Sequence, residues 1–344
     1  MNQSKKSRAS IFELNGIPKF DQAVPLALQH VVAMIVGCVT PAIIVAGVAG
    51  LDSTNRVMLI QSSLVVSALS TFLQLFPIGK KQGFRLGAGL PVIMGASFAY
   101  VASMQAIAGD FGIAAIFGAQ IIGGIIAAII GFFIDKIRKV FPPLVTGTVV
   151  FTIGLSLYPT AVNYMAGGTS NDTYGHWSNW LVAFITLAVV IFLNHFTKGF
   201  LKLASILIGI IVGYIVSIPF GMVDLAAVAQ AKVFQIPQIM HFGIKFEPSS
   251  CIAIGLLFAI NAIQAIGDFS ATTTGGLDRM PTDEELTGGI VGYGISNIFC
   301  AFFGGLPTAT YSQNVGIVSP TKVVSRVVMG LAAVILLAAG LIPK

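Results

Sequence analysis

Charge is the property that this sequence has least of. Asp, Glu, Lys and Arg together make up 9% of its 344 residues, whereas 56% are hydrophobic. Soluble domains carry about 25% charged residues, so this composition argues against a soluble protein. Apolar runs of about 20 residues, the length that crosses a bilayer, recur along the chain. The sequence therefore predicts an all-α, polytopic membrane protein.

Cysteine and histidine are also scarce, with three and four copies respectively. Cys38, Cys251 and Cys300 stand singly inside apolar segments, which argues against a disulfide framework or a metal cluster. A membrane enzyme would need a nucleophile with its base, or metal ligands, at membrane depth, so we do not expect an enzyme. The net charge of +6 comes from basic residues in short loops, which favours the lipid bilayer over nucleic acid as a partner.

Eleven candidate membrane spans follow from the apolar runs, and two of them are short. They cover residues 24–49, 55–77, 90–107, 112–134, 141–162, 179–195, 203–222, 251–274, 288–304, 313–324 and 326–342. Through the seventh span, most loop Lys and Arg residues fall on the side of the N-terminus. Because cytoplasmic loops are rich in these residues, we expect a cytoplasmic N-terminus.

An internal repeat is visible in the short sequence Gly-Leu-Pro, at residues 89–91 and again at 305–307. Each copy lies in the third apolar segment of its half of the chain and precedes a short β-capable stretch. Corresponding Gly/Pro-interrupted segments in two halves are typical of inverted-repeat transporters. A second repeat as long as the first would extend well beyond Lys344, so we expect about three C-terminal spans to be absent.

Pro91 and Pro307 predict that both segments are broken spans. Proline disfavours helix at the residue before it, so each segment is expected to enter as a short strand and continue as a half-helix. The two half-helix N-termini would meet at mid-membrane and present free N–H groups to a ligand that carries carbonyl oxygens. The alternative is a pair of proline-kinked helices that merely pack.

Asp268 is the one acidic residue that lies well inside an apolar span. Gln264 precedes it by one helical turn and shares its face. Intramembrane charge is costly and usually functional; Lys322, Arg326 or backbone donors could hold Asp268 charged. His30 is the one deeply placed histidine, with either a structural role or a role in proton handling.

Several of these stretches together resemble the nucleobase/ascorbate transporter family, the xanthine and uracil permeases. The family signature is matched by Gln313-Asn314-Val315-Gly316 followed, after four residues, by Thr321-Lys322. Further similarity covers "LQH" in the first span, "GLPVIMGASFAYV" in the third and "QAIGDFSATT" in the eighth.

The resemblance implies a fold of fourteen spans in two inverted repeats of seven, with short strands in the broken spans 3 and 10. Residues 1–140 would form the first half of a core domain (spans 1–4), 141–250 half of a gate domain (spans 5–7), and 251–344 the second half of the core (spans 8–11). About 11 of the 14 spans would be present, and the second half of the gate would be absent.

The resemblance also implies binding residues. Gln313 and Gln264 occupy ligand-binding positions where relatives often have Glu, and Phe98, next to Ser97, occupies the position of the aromatic wall. Tyr311 and Ser312, directly before the signature, complete the predicted binding set. Asn314 would shape the site, Asp268 and His30 would serve coupling, and Tyr293 stands where many members have Asp.

The implied function is secondary active uptake of a nucleobase across the plasma membrane. Xanthine, urate or a related purine is expected, with uracil less favoured. Proton symport is expected, with Na⁺ as a possible coupling ion, no organic cofactor and a possible homodimer. Two alternatives are a sulfate or anion carrier of the same fold and a truncated base-binding remnant that does not transport.

Overall fold

The computed structural model describes residues 11–79, 85–134, 148, 151–152, 154–168, 172–223 and 234–342. Two compact units are distinguished. One lies within Met1–Val150 and Phe234–Pro343, and the other within Phe151–Val233. The turn segment before residue 248 belongs to the first unit, because the Lys245 N–H donates to Ala114 O (3.0 Å) and the Met240 N–H to Phe302 O (2.7 Å). The predicted domain boundaries stay a prediction.

The first repeat contributes four helices and three short strands to the first unit. In chain order they are α1 Phe20–Val48, α2 Ser53–Leu75, β1 Ile78–Gly79, β2 Arg85–Leu86, β3 Met94–Ala96, the 3₁₀ turn Phe98–Tyr100, α3 Val101–Phe111 and α4 Ile113–Phe132. β1 and β2 form a small antiparallel pair of their own.

The second unit contains helices α5 to α8. They are α5 Tyr158–Met165, α6 Trp177–Phe196, α7 Phe200–Leu203 and α8 Ser205–Ser217, which continues into the 3₁₀ turn Ile218–Phe220. α8 packs closely on α6 because Gly209 and Gly213 leave room for Val190 and Thr186. Ten of the 22 residues of the predicted span 141–162 lie outside the described residues.

The second repeat returns to the first unit with the same pattern of elements. It consists of α9 Pro248–Leu277, α10 Asp283–Phe302, β4 Thr308–Thr310, α11 Ser312–Thr321 and α12 Arg326–Leu341. The described part of the chain is thus helical apart from short strands, which confirms the predicted fold class.

Helix length separates complete spans from broken ones. Among the described residues, α1, α2, α4, α6 and α9 are long and apolar enough to cross a membrane, and Ser205–Phe220 and α12 are shorter apolar helices. α3 and α11 have only 11 and 10 residues. At about 1.5 Å per residue, each covers roughly half of a 30 Å hydrocarbon core. Both are the half-helices that the repeated Gly-Leu-Pro sequence predicts.

The strands that precede these half-helices pair with each other. β3 and β4 are antiparallel, with Met94 opposite Thr310 and Ala96 opposite Thr308. The ladder continues at both ends, where the Ser97 N–H donates to Pro307 O and the Tyr311 N–H to Ile93 O, each at 3.0 Å. All six strand residues are buried, so the extended backbone of each broken span is satisfied by that of the other.

The start of α10 is fixed by electrostatics outside the apolar segments. Thr282 and Glu285 form a reciprocal capping box, and Arg279 donates two hydrogen bonds to the Glu285 carboxylate at 2.8 and 2.6 Å. Burial raises the pKa of Glu285, but the bonds from Arg279 and from the Thr282 N–H outweigh burial and hold the pKa below its ordinary value. The acidic residues Asp283, Glu284 and Glu285 therefore form the capped first turn of α10.

The packing of β3 predicts the effect of one added methyl group. A Cβ at Gly95 would lie 2.5 Å from Tyr311 Cζ and 2.8 Å from Cys38 Sγ, and both neighbours are buried. We expect Gly95→Ala to lower the thermal stability of the purified protein by several degrees, because overpacking costs about 1–3 kcal/mol. Gly109→Ala is the matched control, since its Cβ would have one neighbour at an ordinary 3.9 Å. Equal melting temperatures for the two variants would contradict this packing.

Candidate functional site

The two half-helices begin at opposite ends of the β3–β4 pair. Ser97 caps the turn before α3, accepting from the Ala99 N–H at 3.2 Å, and α11 begins at Ser312 directly after β4. Three residue pairs at about 3.3 Å each separate the two starts by roughly 10 Å. Helix N-termini carry unsatisfied N–H groups and partial positive charge. The sheet, whose six strand residues are buried, therefore holds two donor-rich helix starts close together in the first unit.

Asp268 of α9 lies at the start of α11. Its Oδ2 accepts from Thr310 Oγ1 at 2.5 Å and its Oδ1 from Ser312 Oγ at 2.7 Å. Its side chain is buried, with 7% exposed. The positive end of the α11 dipole favours a carboxylate here. Two hydroxyl groups and a helix end therefore hold the buried carboxyl group.

The basic residues considered as partners for Asp268 bond elsewhere. Lys322 bonds Asp278 Oδ1 at 2.6 Å. Arg326 donates to Gly89 O through both Nε and a terminal nitrogen. The expectation that Lys322 or Arg326 could hold Asp268 charged is therefore wrong. Hydroxyl groups occupy that place because α11 turns Ser312 toward α9, whereas Lys322 ends the same helix three turns away.

His30 and Asn314 form a second buried polar contact. Asn314 Nδ2 lies 3.1 Å from His30 Nδ1 and 3.2 Å from the His30 carbonyl oxygen. Because the amide nitrogen is the donor, His30 Nδ1 accepts and the ring hydrogen resides on Nε2. The Asn314 Oδ1 atom is buried without a hydrogen-bond partner in the described part of the chain. This contact ties α11 to α1.

Tyr311 is buried at the junction between β4 and α11. Its hydroxyl donates to Ala96 O at 2.7 Å, and its ring lies over Gly37 and Gly95. In this conformation the side chain is 5% exposed and supports the strand pair. Its predicted contact with a ligand stays a prediction.

The remaining predicted binding residues keep accessible side chains. Ser97, Phe98 and Gln264 are partly exposed, and Ser312 and Gln313 are exposed. Among the residues that the structure describes, the Gln264 and Gln313 side chains make no hydrogen bond, so their amides are available to a ligand. The predicted set thus divides into accessible residues and the buried supports Asp268, His30, Asn314 and Tyr311.

Two side chains that the sequence did not indicate complete the strand pair. Thr71 of α2 accepts from the Met94 N–H (2.9 Å), and its hydroxyl hydrogen is shared between Met94 O (3.2 Å) and Ser67 O (2.8 Å). Asn297 of α10 accepts from the Thr308 N–H (2.8 Å) and donates to Thr308 O (3.1 Å). Each acts as a substitute third strand and satisfies the outer edge of the sheet.

Paired half-helices from two repeats of the chain are the arrangement typical of an inverted-repeat membrane transporter. A family model described as "Permease family" matches residues 21–344, so the chain belongs to this family of multi-pass membrane proteins. It is 34% identical over 327 residues to the xanthine permease of Bacillus subtilis, covering 94% of this chain and 73% of that protein. It is 36% identical over 326 residues to the uric acid permease PucJ of the same organism, covering 93% and 71%.

These relatives confirm the nucleobase/ascorbate transporter resemblance, and they are permeases rather than enzymes, as expected. The fold is also similar to that of the transmembrane domain of a cyanobacterium bicarbonate transporter, BicA. The TM-score is 0.64 at 18% identity, covering 93% of this chain and 83% of that one. At this identity the likeness concerns the fold alone.

The hydrogen bonds between Thr71 and Met94 of β3 predict different outcomes for two substitutions of Thr71. Thr71→Val keeps the shape but leaves the Met94 N–H and C=O without their partner, at a cost of about 1–3 kcal/mol for an unsatisfied buried group. Thr71→Ser keeps the hydroxyl and is the matched control. We expect a lower melting temperature in detergent for the valine variant alone. Equal loss in both variants would mean that the methyl group, not the hydrogen bonds, stabilises the strand.

Proposed function

We propose that this protein is a secondary active transporter of nucleobases, with xanthine, urate or a related purine as substrate. The observation that supports this most directly is the pair of accessible, unbonded amides of Gln264 and Gln313. Gln313 lies in the first turn of half-helix α11, and Gln264 lies one helical turn from Asp268, whose carboxylate accepts from Ser312 in that same turn. Relatives named xanthine permease and uric acid permease, at 34% and 36% identity, support the same substrate class.

The chemistry of the accessible residues suits an oxidised purine. Such a base presents ring N–H donors and C=O acceptors in one plane, and a primary amide can match a donor and acceptor pair with both of its atoms. Phe98 supplies a planar apolar surface for stacking. Two amides can therefore hold a neutral or weakly acidic base without burying a second charge. A sulfate or anion carrier of this fold would instead gain from a cation at the junction, and Gln313 supplies none.

Coupling is assigned to Asp268 in this proposal, because amides cannot take up a proton. Its carboxyl group contacts Ser312 directly, and Ser312 is adjacent to Gln313 in the chain. Base binding at Gln313 and protonation at Asp268 would thus act on the same first turn of α11. Proton symport is the preferred mode, and Na⁺ coupling is the alternative outcome of the experiment below.

The proposed orientation has a cytoplasmic N-terminus in the plasma membrane. Support comes from the contact of the N-terminal segment with the loop between α11 and α12. Ser325 Oγ donates to Gly16 O at 2.8 Å, and Arg326 donates to Asn15 Oδ1 at 3.0 Å. That loop begins at Lys322, and Arg326 follows it as the first residue of α12. The N-terminal segment therefore lies on a basic side, as expected for a cytoplasmic face.

Removal of either amide is expected to weaken base binding. We expect Gln264→Ala and Gln313→Ala each to raise the Kd for xanthine about 10-fold or more, because each leaves one donor and acceptor pair of the base unmatched. Gln22→Ala, an exposed glutamine at the start of α1, is the control. Isothermal calorimetry on purified protein measures the effect. Unchanged affinity for xanthine, urate and uracil in both variants would contradict the assignment of Gln264 and Gln313 as binding residues.

Asp268→Asn is expected to uncouple uptake from the proton gradient while leaving xanthine binding within about 3-fold of the wild type, because the amide retains hydrogen bonds to its neighbours. Radiolabelled uptake into proteoliposomes with an imposed pH or Na⁺ gradient measures coupling, and binding is measured in parallel. Asp110→Asn, at the exposed end of α3, is the control. If uptake by Asp268→Asn is driven by the pH gradient as strongly as uptake by the wild type, Asp268 has no part in coupling. If uptake by the wild type is driven by a Na⁺ gradient alone, the protein is a Na⁺ symporter and not a proton symporter.

A further inference from the structure

A buried pair of tyrosines lies behind the proposed site. The hydroxyl groups of Tyr100 and Tyr293 hydrogen-bond to each other, and both side chains are fully buried. In the part of the chain that the structure describes, each hydroxyl has the other as its hydrogen-bond partner. Neither ring can touch a ligand in this conformation, so any effect on binding must act through other residues.

The pair joins three spans through one aromatic cluster. Phe258 of α9 packs against Tyr100 with ring centroids 4.9 Å apart and against Tyr293 of α10 at 5.5 Å. Gly123 of α4 leaves the space that the Phe258 ring fills. Aromatic contacts of this kind each contribute about 0.5–1.5 kcal/mol beyond their buried area. The cluster is therefore a rigid base under the start of half-helix α3.

Tyr100 connects this cluster to Phe98. Both residues belong to the same 3₁₀ turn, Phe98–Tyr100, so an anchor on Tyr100 restricts the backbone that carries the Phe98 ring. The other end of the turn is fixed by the Ser97 N–H, which donates to Pro307 O at 3.0 Å. The backbone that carries Phe98, whose side chain is only partly buried, is thus held on both sides.

We propose that Tyr293 is a positioning residue for the aromatic wall of the substrate site. Through its bond to Tyr100 it fixes the backbone turn that carries the Phe98 ring, and it thereby sets the preference between two-ring and one-ring bases. This inference rests on the proposed nucleobase function. It goes beyond that function by assigning a selectivity role to two residues that do not contact the base.

The direct test removes single hydroxyl groups. We expect Tyr293→Phe and Tyr100→Phe each to raise the Kd for xanthine about 3- to 10-fold, the range of one lost hydrogen bond, and to change the Kd for uracil less, because a smaller ring covers less of the wall. The double variant should be no weaker than either single one, since all three remove the same bond. Tyr174→Phe, an exposed tyrosine bonded to Asn163, is the matched control.

The same substitution in a Phe98→Ala protein distinguishes an effect on the position of Phe98 from an effect on stability alone. In a Phe98→Ala protein, Tyr293→Phe should leave the xanthine Kd unchanged, because the wall through which it acts is gone. Variants that lower only the melting temperature, with wild-type Kd values for both bases in the folded fraction, would overturn the inference and leave the proposed function intact. A wild-type protein that binds neither base would overturn both, and this outcome is recognised before any variant is made.

Discussion

The rest of the first unit depends on the need to satisfy the buried, extended backbone of the two broken spans. Each unpaired amide or carbonyl group in hydrocarbon costs several kcal/mol, so neither broken span can exist alone. β3 and β4 satisfy each other, and Thr71 and Asn297 satisfy their outer edges. The two repeats are therefore obligatory partners: the strand of one repeat is stable only against the strand of the other.

This constraint also creates the site. Once the two buried strands pair antiparallel, the half-helices that follow must begin at opposite ends of the pair and point away from each other. Their free N–H groups and partial positive charges then converge without any basic side chain. Asp268 is tolerated as a buried carboxylate because the same geometry brings Thr310 and Ser312 within hydrogen-bonding distance of it. Structural necessity and binding chemistry thus have one origin.

The elements with local signals could be predicted from the sequence. Repeated Gly-Leu-Pro marked both broken spans, and a lone carboxylate in an apolar run marked Asp268. The hydrogen bonds of Thr71 and Asn297 to the strand edges, and the contact between Tyr100 and Tyr293, could not be found in this way. A single Thr or Asn in an apolar helix has no periodic signal, and Tyr100 and Tyr293 are 193 residues apart. The sequence also did not predict which accessible side chains lack a hydrogen-bond partner, because the partners come from other spans.

The site contains polar side chains with and without hydrogen-bond partners, and this difference suggests how proton transfer and ligand binding are coupled. Gln264 and Gln313 are accessible and cannot ionise, whereas the buried carboxyl group of Asp268 can. Asp268 lies one turn from Gln264 on α9, and its partner Ser312 precedes Gln313 on α11. A carboxyl group that loses its charge becomes a donor and accepts fewer bonds, so the Thr310 and Ser312 hydroxyls would have to reorient. In the proposed transporter, protonation of Asp268 therefore changes a hydrogen bond of Ser312, the residue before Gln313. Coupling between the proton and the ligand then needs only this short connection.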